Sequence, residues 1–200
     1  MAKDTPELIY LKDYKTPAYL IDTVHLDINL DPAKTRFTSK MAIRPARTGE
    51  PLKLDIDDIM PSEIRINGTL LKAEEYNAGK KQLVISQVPA TAFTLETVTT
   101  ISPKDNTQLM GLYMSDGIFC TQCEAEGFRR ITPFIDRPDV LARYTTRIEG
   151  DKTTAPILLA NGNRIDGGDL PDGRHFAVWE DPFPKPAYLF ALVGGDLGCV

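Results

Sequence analysis

Residues that hold metals are scarce in this chain. Of 200 residues, two are histidine (His25 and His175) and three are cysteine (Cys120, Cys123 and Cys199). Neither histidine belongs to an H-E-x-x-H arrangement, so the pattern offers no zinc-protease site of its own, and both read as structural or surface residues. Cys120-Thr121-Gln122-Cys123 is a C-x-x-C, but its redox form wants a following helix inside a βαβ unit. Its zinc form wants a second ligand pair, which Cys199 alone cannot supply. Small cysteines packed on a strand are the reading that remains. A G-x-S-x-G elbow, a phosphate-binding glycine loop and a dinucleotide fingerprint are all missing.

Long apolar runs are missing too. No segment approaches the roughly 18–20 residues needed for a membrane-spanning helix. MAKDTPELIY at the N-terminus carries Lys3, Asp4 and Glu7 and lacks a signal-peptide core. An odd, small number of cysteines adds nothing that needs an oxidising compartment, so a cytoplasmic location is expected. With 23 Lys and Arg against 28 Asp and Glu, the net charge is −5, which argues against a nucleic-acid partner.

What the chain does have is strand pattern. Val24, Leu26, Ile28 and Leu30 alternate with polar residues, as do Phe37, Met41 and Ile43 around Ser39. Leu52, Leu54 and Ile56 repeat the pattern, and Phe93, Leu95, Thr97, Thr99 and Ile101 extend it. Period 2 puts one face of a strand in a core and the other in water. Asn67-Gly68 between two such runs signals a tight hairpin, and a second hairpin is expected at Asn161-Gly162-Asn163. Asp181 to Pro186 reads as a rigid extended connector feeding an apolar strand from Tyr188 to Val193. The one helical candidate is a turn or two from Arg137 to Ala142, with Asp136 as its cap and Pro138 in its first turn. The fold class expected is all-β, a mostly antiparallel curved sheet or sandwich with at most short helical turns.

Alternation breaks between Gly117 and Tyr144. There Gln122, Glu124 and Glu126 fall at period 2, which places them on one side if the segment is extended. Residues alone leave this open, since three polar side chains in a row also make an ordinary solvated face. Thr121-Gln-Cys-Glu-Ala-Glu-Gly-Phe-Arg-Arg130, however, resembles the Q-x-E-x-x-x-x-R region of the zinc aminopeptidases of the aminopeptidase N family. Pro133-Phe-Ile-Asp-Arg-Pro-Asp-Val-Leu-Ala-Arg-Tyr144 resembles that family's P-x-x-D-x-P-x-x-x-A-x-[FY] pattern. Asn161-Gly-Asn163, Gly173-Arg-His175, Asp181 to Pro186 and Tyr188 to Gly195 resemble its bacterial branch. The likeness runs in order from about Tyr14 to Gly195.

The resemblance implies a saddle-shaped N-terminal β domain spanning residues 1–200. A thermolysin-like catalytic domain, carrying the zinc, its ligands and a G-x-M-E-N loop, is expected after residue 200. Gly194 to Val200 does not resemble a polar, frayed terminus, which fits that expectation of a longer polypeptide. The implied activity is removal of single residues from the free N-termini of peptides, with zinc in the full-length enzyme and none in this chain, which alone is expected to be inactive. By position, Gln122 is expected to border the pocket for the first side chain and Glu124 to bind the substrate's α-ammonium group. Glu126 has no role to transfer, and the charged residues from Asp136 to Arg143 are expected to maintain the fold. From pattern alone, the alternative is a stand-alone β-sandwich module that binds a peptide or carbohydrate.

Overall fold

The computed structural model describes residues 10–198 and contains fifteen strands among them. In chain order these are β1 (Tyr19–Asn29), β2 (Thr35–Pro45), β3 (Leu52–Asp55), β4 (Glu63–Ile66) and β5 (Thr69–Leu70). Then come β6 (Tyr76–Ala78), β7 (Gln82–Ile85), β8 (Phe93–Ile101), β9 (Gly111–Ser115) and β10 (Ile118–Gln122). The last five are β11 (Ala142–Asp151), β12 (Ile157–Ala160), β13 (Asn163–Asp169), β14 (Arg174–Lys185) and β15 (Leu192–Gly195). Helical structure among these residues is limited to single 3-10 turns, so the all-β expectation holds.

The strands form three open sheets. The largest runs β13-β14-β11-β1-β2-β8-β4-β5; a second runs β12-β15-β10-β9, and a third β3-β7-β6. Each alternating run of the sequence is a strand face turned inward: Val24, Ile28, Phe37, Met41, Leu54 and Leu95 are all buried. Burying a side chain of that size contributes about 1.5–3 kcal/mol. These residues belong to one hydrophobic cluster that draws on all three sheets. Thr97 and Thr99 take inward positions as well. Their hydroxyls reach Thr132 Oγ1 at 3.1 Å and the Ile131 carbonyl at 2.7 Å, so β8 grips the segment that follows β10.

Nearly every pairing is antiparallel. The exception is β1 with β11, which pair in parallel with Val24 opposite Tyr144 and Ile28 opposite Ile148. Parallel neighbours cannot be joined by a tight turn. Here the chain from β2 through β10 makes the connection, and the 123–141 segment that leads into β11 lies against β8 and β3.

Local expectations met mixed outcomes. Asn67 and Gly68 have φ of 49° and 80° and join β4 to β5 with Ile66 opposite Thr69, a two-residue hairpin turn. Asp116 and Gly117, at φ 48° and 80°, make the same turn between β9 and β10 and carry the same signal. Asn161-Gly162-Asn163 is a turn but not a hairpin: β12 before it pairs with β15, and β13 after it pairs with β14 in another sheet. Gly162 is required there because a Cβ would fall 2.1 Å from the Glu180 carbonyl oxygen. The strand expected from Tyr188 to Val193 is instead a 3-10 turn over Ala187–Leu189, followed by β15. Asp181 to Lys185 is extended as expected, but as the bulged end of β14 alongside β11. The expected helix at Arg137 to Ala142 is a single turn closed by Val140 N donating to the Arg137 carbonyl at 3.2 Å. Asp136 does not cap it, because its carboxylate is taken by Arg129.

Candidate functional site

The Q-x-E segment sits where β10 ends. Thr121 Oγ1 donates to the Leu192 carbonyl at 3.0 Å and accepts from Leu192 N at 2.8 Å, which locks the last residues of β10 to β15. Beyond Gln122 the backbone turns. Gly127 N donates to the Cys123 carbonyl at 2.8 Å, and a 3-10 turn over Phe128–Arg130 follows. The segment is therefore not extended, and Gln122, Glu124 and Glu126 do not share a strand face.

Close backbone approach makes the turn possible. A Cβ on Gly127 would stand 2.3 Å from the Gln122 carbonyl oxygen and 2.8 Å from Cys123 Cα. Gly111, at φ 74°, faces Gly127 from the start of β9. Phe128 anchors the base, edge-on to Phe134, Tyr144 and Phe190 at centroid distances of 4.9, 6.0 and 5.2 Å. Buried Cys123 lies in the same base, where burial pushes its thiol well above the ordinary range and keeps it protonated. Cys120, half-buried on β10, is shifted the same way by burial. Two protonated thiols are poor nucleophiles and poor metal ligands.

Above that base the tip is open. Gln122, Glu124, Ala125 and Glu126 are exposed, and the Glu124–Ala125 peptide bond is cis. The Gln122 amide donates from Nε2 to the Glu124 carbonyl at 3.1 Å, so its side chain spans the turn. Glu126 leans back to Arg129, with Oε2 at 3.2 Å from Nη1.

Arg129, which falls on the arginine of the Q-x-E-x-x-x-x-R pattern, and Arg130 hold the turn to the rest of the molecule. Arg129 donates its backbone N and its Nε to Asp136 Oδ2 at 3.2 and 3.0 Å, and its Nη2 to the Asp136 carbonyl at 3.0 Å. Asp55, at the end of β3, receives Asp136 N at 3.1 Å and lies 3.9 Å from Arg129 Nη2. Arg130 pairs with Asp57 at 2.7 Å and Asp58 at 3.0 Å, and Lys81 closes on Asp57 as well. A backbone bridge between Asp55 and Phe134 completes the link to the small sheet. The signal that could have found this cluster is a carboxylate at the wet end of a buried alternating strand, Leu52-Lys53-Leu54-Asp55, beside an Arg-Arg pair.

Burial acts differently on the two pairs. It raises the Asp136 and Asp55 carboxyls above their usual range, and Arg129 offsets this only in part. Burial also works against ionised Asp57, but hydrogen bonds from Lys81 and Arg130 outweigh it and hold that carboxyl low. Further on, Asp139 is held low by Arg137, which also donates to the Lys15 carbonyl. Those contacts fit the fold-maintaining role expected of the 136–143 charges.

An open cleft of about 510 Å³ lies beside the turn, with Glu126, Arg129, Asp55, Gln82 and Lys53 in its wall. Gln122 and Glu124 stand outside it. The described residues do not bring together a set of zinc ligands. His25 is exposed on β1, and His175 on β14 has its Nε2 2.7 Å from the Ala155 carbonyl. Among the described residues, no group of three or more His, Cys, Asp or Glu is placed to hold a metal.

Comparison with known proteins carries the identification further. The family model described as the Peptidase M1 N-terminal domain matches residues 13–189. Aminopeptidase N of Caulobacter vibrioides is 51% identical over 200 residues, covering 98% of this chain and 23% of that protein. Aminopeptidase N of Escherichia coli is 48% identical over 195 residues, covering 96% of this chain and 22% of that protein. The chain thus spans less than a quarter of the length of these curated relatives. Among solved structures, Legionella pneumophila aminopeptidase A in complex with aspartic acid superposes with a TM-score of 0.87 at 37% identity, over 94% of this chain and 22% of that one. An M1 zinc metallopeptidase mutant of Deinococcus radiodurans, bound to a Tyr-Ser-Ala substrate, shares the fold with a TM-score of 0.75 at 17% identity, over 89% of this chain and 42% of that one. The chain belongs to the Peptidase M1 N-terminal domain family and is similar over nearly its whole length to bacterial aminopeptidase N.

Proposed function

We propose that this chain is the non-zinc portion of an aminopeptidase active site, presenting Glu124 to the free α-ammonium group of a peptide. The observation that carries the reading is the contrast at the end of β10. Glu124 is exposed on a turn whose base is buried, bonded and continuous with three sheets. Family membership supplies the context, since the curated relatives are aminopeptidases more than four times longer than their matched portion.

The chemistry follows from what distinguishes a chain end from a chain middle. A free N-terminus carries a positive charge and three donors; an interior amide carries one donor and no charge. A carboxylate enclosed with the substrate accepts charge-assisted hydrogen bonds from the ammonium, roughly twice as strong as neutral ones. An interior peptide would leave that carboxylate poorly paired. Anchoring the amine also fixes where the first peptide carbonyl lies, which is the positional part of catalysis. Gln122, an uncharged amide that donates and accepts, borders the space for the first side chain without demanding a countercharge. The zinc and the hydrolytic chemistry are assigned to a catalytic domain of the same polypeptide, and the setting to the cytoplasm.

Two measurements test this. The purified chain, with zinc added, is expected to leave an alanyl chromogenic amide intact; turnover would place a complete active site in this domain. In the full-length enzyme, Glu124→Ala is expected to cut kcat/KM by the equivalent of about 2–5 kcal/mol with zinc content unchanged. Kinetics near wild type would remove the ammonium-anchor role.

A further inference from the structure

We infer that Arg129 is a positioning residue for Glu124, acting through Glu126, and that the Glu126–Arg129 pair keeps Glu124 as the free carboxylate on the turn. This rests on the reading of Glu124 as the ammonium anchor. The geometry behind it has an inner and an outer half.

On the inner side Arg129 has little freedom. Its backbone N, Nε and Nη2 all engage Asp136, whose side chain is only 3% exposed. Its carbonyl accepts from Asp57 N at 3.1 Å, and Asp55 stands beyond Nη2. The guanidinium is planar and rigid, so fixing Nε and Nη2 also fixes the direction of Nη1.

On the outer side, Nη1 faces Glu126 at 3.2 Å. Glu126 is two residues from Glu124 within the turn closed by Gly127 N and the Cys123 carbonyl. The ion pair therefore ties the exposed tip to buried Asp136 and to β3. It also occupies Glu126. Left free, that carboxylate would offer an arriving ammonium a second partner, one residue pair further along the turn. Binding there would displace the first peptide bond by several ångströms, in a reaction where about 1 Å of misplacement already costs on the order of 100-fold. Glu124, with its side chain uncommitted and its carbonyl held by Gln122, is the partner left over.

The test uses four variants of the full-length enzyme, Glu126→Gln, Arg129→Gln, Glu124→Ala and the double change Glu124→Ala/Glu126→Gln, each assayed for kcat, KM, zinc content and thermal unfolding. Glu126 is 68% exposed at its side chain, so E126Q is expected to unfold with the wild type and bind zinc normally. Its KM for an alanyl amide should nevertheless rise roughly ten-fold while kcat falls less, the split expected when the ammonium's hold on Glu124 is weakened in ground state and transition state alike. In the E124A background the same change should add nothing, because there is no anchor left to position. R129Q should show the same KM increase; if it fails to fold, E126Q and the double variant decide alone. An E126Q enzyme with wild-type KM, or E126Q and E124A losses that multiply, would overturn the inference. A near-wild-type E124A enzyme would instead sink the anchor reading itself, so the two failures are distinguishable.

Discussion

The tip and the base of the 122–130 segment are built by opposite rules. Gln122, Glu124, Ala125 and Glu126 are exposed, while Cys123, Gly127 and Phe128 are buried. The base is held by ring packing, a glycine–glycine approach and two arginines whose carboxylate partners lie on other elements. The tip has one amide bond across it and one ion pair behind it. A recognition loop needs both halves: a side chain free to meet its ligand, on a backbone with one place to be. The difference implies that changes at the base should cost stability, whereas changes at the tip should cost recognition alone.

The largest effect is expected from removing the base's anchor. Phe128 is fully buried against three aromatic rings, and Phe128→Ala should destabilise the protein by about 3–5 kcal/mol in denaturant unfolding. A loss below about 1 kcal/mol would mean the cavity collapses freely and the base is not rigid.

A smaller but more local effect is expected at Gly127. Its missing Cβ makes room for the Gln122 carbonyl, so Gly127→Ala should cost about 1–3 kcal/mol by overpacking. Because the displaced atoms belong to Gln122 and Cys123, amide shifts in a spectrum should concentrate at residues 111, 122–124 and 127–130. Changes spread evenly over the large sheet would contradict that.

Sequence pattern carried the frame of the molecule but not the way its parts meet. Alternation at Val24 to Leu30 and Phe37 to Ile43 identified strands correctly, because a half-buried strand writes its two faces directly into the chain. Asn67-Gly68 identified a hairpin because positive φ at two successive positions selects those residues. Pairings between distant segments leave no such mark. The β1–β11 parallel pair and the split of β12 from β13 into different sheets depend on partners far along the chain. The site divides the same way. Gln122, Glu124 and Arg129 all fall on the resemblance pattern, but what Arg129 and Arg130 do depends on Asp55, Asp57 and Asp136, which no local spacing connects to them. Asp136 looked like a helix cap, and became a buried partner of Arg129, because a tertiary ion pair outcompetes a local turn for the same oxygen.

The two arginine clusters predict opposite responses to pH. Asp57 has a folded pKa held below its unfolded value, so its stabilisation is present above the ordinary carboxylate range and is lost as pH falls through it. The deficit of Asp57→Asn, of order 1 kcal/mol at neutral pH for a partly buried pair, should therefore shrink in acid. Asp136 has a folded pKa raised by burial, so ionising it weakens the folded state as pH rises through and above that range. The deficit of Asp136→Asn should accordingly shrink in the other direction, toward higher pH. Denaturant unfolding from pH 3 to 8 measures both; deficits that move in parallel would show that the clusters do not differ.

The smallest stability effect belongs to the residue with the largest proposed role. Glu124 is exposed, its carboxylate bonds to no neighbour among the described residues, and its contribution to the turn comes through its backbone carbonyl, which alanine retains. Glu124→Ala should therefore leave unfolding free energy within about 0.5 kcal/mol of wild type, the usual range for a surface change away from packing. A deficit above about 2 kcal/mol would place the Glu124 side chain in the architecture of the base, on the scale of a buried or network contact rather than a surface one. It would then no longer be the free end of a rigid turn, and the division between base and tip would have to be drawn one residue further out.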